Sequence, residues 1–420
     1  MNPSPSVPAR TALKYLRTFF KWLVIAAVLG AVCGLVGGAF HTAVGAATAF
    51  RTAHSRIIWL LPAGGAVIVG LYSLTKLHGK GTATVLDALL HDSPVPPLLA
   101  PVIFVSTALT HLLGGSAGRE GAALQIGGSL GSACGSVLRL DAADRRITVF
   151  CGMAAVFTAL FGTPVGAALF VLEVANVGSF CYSALVPCVI SSCAAFSITR
   201  ALGIEPTRFA VEIPAFSLPV LIRTAVLAIA CGVLSIAVCF VLHRTERGME
   251  RLFPNRLLRV VVGSAAVVLL TILLGSTDYN GAGEPIFRRA LEQGICAPEA
   301  FLFKLLFTAL TLACGLRGGE VVPTFFIGAT FGCTVGPLLG LPAGFAAAIG
   351  LSATFCGATN CPIATILLSA ELFGTGHAEL FAVACAISYL FSGYASLYPN
   401  QRFLYSKLAA EPWSAEETQK

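Results

Sequence analysis

The chain has 420 residues, of which 56% are hydrophobic and 11% charged. A soluble globular domain carries about 25% charged residues, so the composition excludes one and reads as a polytopic membrane protein. The net charge of +7 is spread over loops and tails, which suits contact with anionic lipid and not with nucleic acid.

The N-terminus is basic. Arg10, Lys14, Arg17 and Lys21 precede the first acidic residue, Asp87, so residues 1–21 read as a tail held on the cytoplasmic side by the positive-inside rule. Arg51 and Arg56, after the first span, blur that signal. Apolar runs at 22–50, 57–74, 216–242 and 257–274 are long enough to cross the roughly 30 Å hydrocarbon core. The first is too long for the apolar region of a signal peptide. Runs at 122–138 and 323–339 are shorter or interrupted by Gly and Pro, which is tolerated where a segment packs on protein or lines a polar cavity. The whole predicts ten or more membrane segments in one integral domain, 22–398. A short polar tail, 399–420, follows and has no room for a regulatory domain.

The fourteen cysteines are scattered singly through apolar stretches. No CxxC pair occurs, and the closest spacings are Cys188/Cys193 and Cys356/Cys361. They read as small buried hydrophobes. The seven histidines show no ligand spacing, so no metal site is expected.

The chain repeats itself. Gly152, Pro164 and Glu173 recur with identical spacing as Gly350, Pro362 and Glu371. Upstream, Gly118, Ile126, Gly127 and Gly131 match Gly319, Ile327, Gly328 and Gly332. Two halves, near 22–205 and 215–398, each carry a Gly-rich break followed by a Gly–Pro–Glu helix. Paired broken segments in corresponding positions of two halves point to a transporter's binding site. Chance likeness between Gly- and Ala-rich helices is the alternative.

Each break sets glycines and an acidic residue at the start of an apolar helix: "SAGREG" before 122 and "LRGGEVVP" before 324. A helix N-terminus exposes unpaired N–H groups and a partial positive charge, which suits an anion. The bland reading is that glycine lets helices pack closely.

"GREG" at 118–121, "GGEVVPTFFIGATFG" at 318–332 and "GKGTATVLDALL" from Gly79 together resemble the CLC family of anion channels and proton-coupled antiporters. The likeness runs to "YASLYPNQ" at 394–401. It implies an all-α polytopic fold with two inverted repeats, broken helices meeting at a midplane anion site, a homodimer with one pathway per subunit, and no cofactor. Chloride-type members carry GSGIP, GKEGP or GREGP, and GxFxP. Here the first motif lacks its serine, the second ends in Ala122, and the third reads Gly319-Glu320-Val321-Val322-Pro323. These departures resemble the fluoride/proton antiporter branch, although Thr82 stands where that branch often has methionine.

By this resemblance Glu120 is the gating and proton-coupling glutamate: its carboxylate competes with the anion, and protonation admits the ion. The implied anion-binding set is Gly81, Thr82, Gly118, Arg119, Gly121, Gly319, Glu320, Val321, Val322 and Tyr398. Glu320 reads equally as a carboxylate favouring its own helix dipole, and Tyr398 as an interfacial tyrosine. The inner proton relay of chloride-type members falls on Val174, so Glu173 and Glu371 are expected to be structural. Phe325, Phe326 and Phe331 place ring edges near the expected site.

The implied function is export of fluoride in exchange for protons across the cell's inner (plasma) membrane. Chloride/proton antiport or a chloride channel is the alternative, and proton-coupled transport of an organic solute a distant one. No enzyme is expected, because no nucleophile–base or metal set converges in the sequence.

Overall fold

Backbone N–H and C=O groups find no partner in hydrocarbon, so a chain this apolar must satisfy them internally as helix. A computed structural model describes residues 9–91, 93–409, 411 and 412, and among them sixteen α-helices. The first half holds α1 (Ala9–Ala53), α2 (Leu61–Leu74), α3 (Thr82–Leu90), α4 (Leu99–Leu113), α5 (Glu120–Val137), α6 (Ala142–Phe161), α7 (Pro164–Val174) and α8 (Leu185–Ala201). The second holds α9 (Leu218–Leu252), α10 (Arg256–Leu274), α11 (Glu284–Gln293), α12 (Ala300–Ala313), α13 (Val321–Val335), α14 (Ala343–Thr359), α15 (Pro362–Phe373) and α16 (Ala378–Phe391). Two short strands, β1 (Asn176–Val177) and β2 (Arg402–Phe403), pair in parallel. Among the described residues six helical stretches are long and apolar enough to cross a bilayer, and six further apolar helices are shorter.

Helix and hydrogen bonds reach into both expected tails. Residues 1–8 and 413–420 lie outside the described residues, but the rest of the expected N-terminal tail is helical, because α1 starts at Ala9. Lys21 on α1 pairs with Asp144 at the start of α6. The first residues of the expected C-terminal tail are tied to the helices by a few hydrogen bonds. Gln401 donates to the carbonyls of Val174 (2.9 Å) and Thr359 (2.7 Å), and Lys407 Nζ donates to Tyr389 O at 2.8 Å, near the end of α16. A helix terminus leaves carbonyls open, and Lys407 closes one of them.

The Gly–Pro–Glu stretch is not one helix in either half. Gly162 takes a left-handed conformation (φ 69°) between α6 and α7, and Asn360 (φ 57°) does so between α14 and α15. Proline then sits at the first position of α7 and α15, where its missing N–H costs nothing and its fixed φ suits a new start.

The repeat is visible in the packing. A Cβ on Gly127 would fall 2.2 Å from the Gly152 carbonyl oxygen, and one on Gly328 would fall 2.4 Å from that of Gly350. α5 therefore crosses α6 as α13 crosses α14, backbone against backbone. Glu173 on α7 accepts from the N–H groups of Ile363 (3.2 Å) and Ala364 (2.8 Å) at the start of α15. Glu371 on α15 accepts from Val165 (3.1 Å) and Gly166 (2.7 Å) at the start of α7. Each carboxylate meets a positive helix end. This exchange is a structural task, as expected for both residues.

Candidate functional site

The two Gly-rich breaks meet. Gly118 N–H donates to Gly319 O (2.7 Å) and Gly319 N–H to Gly118 O (2.8 Å), a two-residue antiparallel bridge. The residues that the internal repeat places in register are thus the ones that touch. A Cβ on Gly319 would lie 2.5 Å from Gly121 N, and one on Gly118 would lie 2.4 Å from Glu120 Oε2. Glycine is required at both positions for the helix ends to approach and for the carboxylate to fit. From this bridge α5 and α13 each start two residues later, so their open N–H ends face a common region.

Glu120, the first residue of α5, is fully buried. Its Oε2 accepts from Arg119 N–H at 2.9 Å. Its Oε1 has no hydrogen-bond partner, and Arg119 Nε stands 3.7 Å away. A buried carboxylate oxygen without a donor is expensive, so this side chain is held by a weak set of contacts in a tight space. Glu320 is the N-cap of α13, yet its side chain makes no capping hydrogen bond. Its Oε2 instead lies 3.5 Å from where a Gly121 Cβ would be. Glu320, read above as favouring its helix dipole or as part of the anion site, thus makes no capping bond to α13, and its carboxyl leans on the first turn of the opposite helix. Val321 and Val322 form the first turn of α13.

Three cavities hold the remaining expected site residues or border the crossing. One of about 570 Å³ is lined by Thr48 and Arg51 from the end of α1, by Arg119 and Glu120, and by Val322 and Phe325. A second, of about 580 Å³, is lined by Cys239, Phe240, His243 and Glu246 of α9 and by Tyr398. The two share no lining residue. They lie at opposite ends of α1: the first is at its C-terminal end. The second sits beside the β1–β2 pair, which follows α7, and α7 returns toward the level where α6 began against Lys21. The third, of about 290 Å³, contains Gly81 and Thr82 together with Arg317.

Tyr398 is 3% exposed, and its hydroxyl has no partner. Thr82 starts α3, and its hydroxyl accepts from Gln125 Nε2 of α5 at 3.1 Å. Gly118, Arg119, Glu120, Gly121, Gly319, Glu320, Val321 and Val322 thus gather at one crossing. Tyr398 lies on the second cavity, and Gly81 and Thr82 on the third. Of the three phenylalanines, only Phe325 lines the Glu120 cavity, with its ring edge-on to Phe355 at 4.9 Å. Phe326 turns to Tyr279 and Phe287, and Phe331 to Phe301.

The sequence reading missed three polar supports. His111 Nε2 donates to Gly118 O at 3.3 Å, and Arg51 donates to His111 O at 3.3 Å. Lys304, fully buried, donates to the carbonyls of Tyr279 (3.2 Å) and Gly281 (2.6 Å). The signal for Lys304 was present: a lone lysine in an apolar run is costly and asks for a role.

Comparisons with known proteins agree with this arrangement. A family model described as "Voltage gated chloride channel" matches residues 64–393. A "Chloride/fluoride channel protein" of Pseudomonas syringae pv. tomato is 36% identical over 396 residues, 92% of this chain and 87% of that protein. A crystal structure of a CLC-type fluoride/proton antiporter superposes with a TM-score of 0.88 at 32% identity, covering 91% of this chain and 98% of that one. A slow cyanobacterial Cl−/H+ antiporter, at 21% identity and a TM-score of 0.77, shares the fold. Two crossed helix starts, an inverted repeat and a buried glutamate where they meet are thus found in a chain that belongs to the CLC voltage-gated chloride channel family.

Proposed function

We propose that this protein is a fluoride/proton antiporter of the inner (plasma) membrane, a transporter and not an enzyme, exporting fluoride in exchange for protons. The observation that carries the reading is Glu120: fully buried, one oxygen without a partner, placed where α5 and α13 begin. A carboxylate there holds the position an anion would take. Protonation removes its charge, weakens its claim on the helix ends and lets the anion in. The proton that enables entry then leaves with Glu120's return to the ionised form. Val174 stands at the position of the chloride-type inner relay, so the proton route runs through Glu120 itself.

Fluoride is small and strongly hydrated, and a site must replace its water with strong donors. The N–H groups of the first turns of α5 and α13, the Tyr398 hydroxyl and the Thr82 hydroxyl are the donors we assign to it, with Gly81, Gly118, Arg119, Gly121, Gly319, Glu320, Val321 and Val322 forming the walls. The printed names of the Pseudomonas relative and of the antiporter structure support the choice of ion. Lys14, Arg17 and Lys21 near the start of α1 favour a cytoplasmic N-terminus. Tyr398 then faces the cytoplasm and Glu120 the exterior. We assign a homodimer with one pathway per subunit.

Chloride transport by the same route is the second reading, since the Pseudomonas relative's name gives both halides. Purified protein in liposomes loaded with both ions separates them. Fluoride efflux, followed by a selective electrode, is expected to be much faster than chloride efflux. Equal or faster chloride efflux overturns the fluoride reading.

A further inference from the structure

α9 changes character near its end. After the apolar residues up to Leu242 come Arg244, Arg247 and Arg251, interleaved with Glu246 and Glu250. Helical spacing separates the two signs of charge. The three arginines fall within about 60° of one another round the axis, and the two glutamates stand about 90–130° away. The structure shows the same separation. Glu246 and Glu250 line the 290 Å³ cavity, and Glu250 pairs with Arg259 of α10 at 3.0 Å. The arginines surround a small cavity of their own, about 110 Å³, whose remaining lining residue is Gly248. A Cβ on Gly248 would meet nothing within 4 Å. No carboxylate lines this cavity. Among the described residues none of the three arginines pairs with an acid. Arg247 Nε donates to its own helix, at His243 O (3.2 Å).

Like charges gathered on one helix face repel one another. A phosphate relieves them, because its oxygens match the planar fork of a guanidinium. The rest of the face identifies the phosphate as a lipid's. Val233, Ile236 and Phe240 are exposed and extend the arginine row toward the middle of α9, all six within about 80° of the circumference. Arg244 follows Phe240 after one turn. The arginines then cover about 10 Å of axis, a length comparable to the headgroup layer beside the hydrocarbon core. An apolar stripe that ends in a cluster of guanidiniums has the outline of a phospholipid.

We infer that this face of α9 binds one anionic phospholipid per subunit. Arg244, Arg247 and Arg251 hold its phosphate, and its acyl chains lie against Val233, Ile236 and Phe240. Ile236, Phe240 and Arg247 also line the Tyr398 cavity, so the headgroup stands at the rim of that opening. The assignment does not depend on which halide the protein carries.

Native mass spectrometry of the full protein, offered phosphatidylglycerol or phosphatidylcholine with the same acyl chains, reads the bound lipid. Wild type is expected to retain one more phosphatidylglycerol than phosphatidylcholine per subunit. Arg244→Gln with Arg251→Gln is expected to weaken that retention about tenfold or more, and glutamine keeps the helix propensity. Lys14→Gln with Arg17→Gln removes the same two charges from exposed positions near the start of α1, at the same end of the protein, and is expected to keep the lipid. Equal retention of both lipids by wild type overturns the proposal. So does equal loss in the two double variants, which is attraction to the whole basic surface. Displacement of the lipid by inorganic phosphate as readily as by phosphatidylglycerol makes this a site for free phosphate and overturns it as well. Stability gives a second readout. Phosphatidylglycerol is expected to raise the unfolding temperature of wild type above its value in phosphatidylcholine. A rise of the same size in the folded Arg244→Gln, Arg251→Gln protein refutes the site.

Discussion

Glu120 and Glu173 are both buried glutamates, and their partners separate them. Glu173 has donors on both oxygens; Glu120 has one donor and a bare oxygen. A carboxylate with donors on both oxygens is held in place, whereas one with a bare oxygen is free to swing or be displaced. Glu120→Gln keeps the size and removes titration, so proton uptake driven by an outward fluoride gradient is expected to vanish. Normal coupled uptake by that variant places the proton on another group. Glu173→Gln presents one oxygen and an NH₂ to two N–H donors, losing about 1–3 kcal/mol of stability. A lower unfolding temperature with an unchanged fluoride-to-proton ratio is the expected result, and a selective loss of coupling refutes the structural assignment. The contrast was legible in part. Repeat spacing and motif singled out both glutamates, but nothing in the sequence told that Phe326 and Phe331 face away from the site. Side-chain direction depends on how α13 is rotated against α11 and α12, and that is set by contacts remote in sequence.

The helix starts were legible and the helix ends were not. Gly118 and Gly319 come into register simply by aligning the halves, and the structure joins them by two hydrogen bonds. The turns at Gly162 and Asn360 escaped the reading because apolar periodicity continues through them, and only the proline marks the restart. Gly319→Ala forces a methyl to 2.5 Å from Gly121 N. The break cannot yield without moving Glu120, so a loss of about 1–3 kcal/mol together with a large fall in fluoride flux is expected. Gly248→Ala on α9 is the control. It has open space around it, and helix propensity there favours alanine by about 0.5–1 kcal/mol. Equal effects of the two substitutions on thermal unfolding contradict the close-approach argument.

At the scale of the molecule, the orientation in the bilayer decides which cavity receives cytoplasmic fluoride. Cys181 is exposed and follows β1, at the end of the protein where α1 begins. A membrane-impermeant thiol reagent is therefore expected to label it from the cytoplasmic face only, in inside-out and not in right-side-out vesicles. Labelling from the exterior reverses the proposed topology and exchanges the roles of the two large cavities.

The exchange of carboxylates between α7 and α15 also carries information about ancestry. Glu173 serves the second half and Glu371 the first, by the same two kinds of contact. That is the pattern two copies of one shorter chain make when inserted with opposite orientations, each lending its acid to its neighbour. A duplicated and fused gene preserves such a subunit interface inside a single polypeptide. The inverted repeat is then a dimer contact that covalent linkage has made permanent, and the divergence of Arg119 from Glu320, one at each helix start, is what fusion allowed.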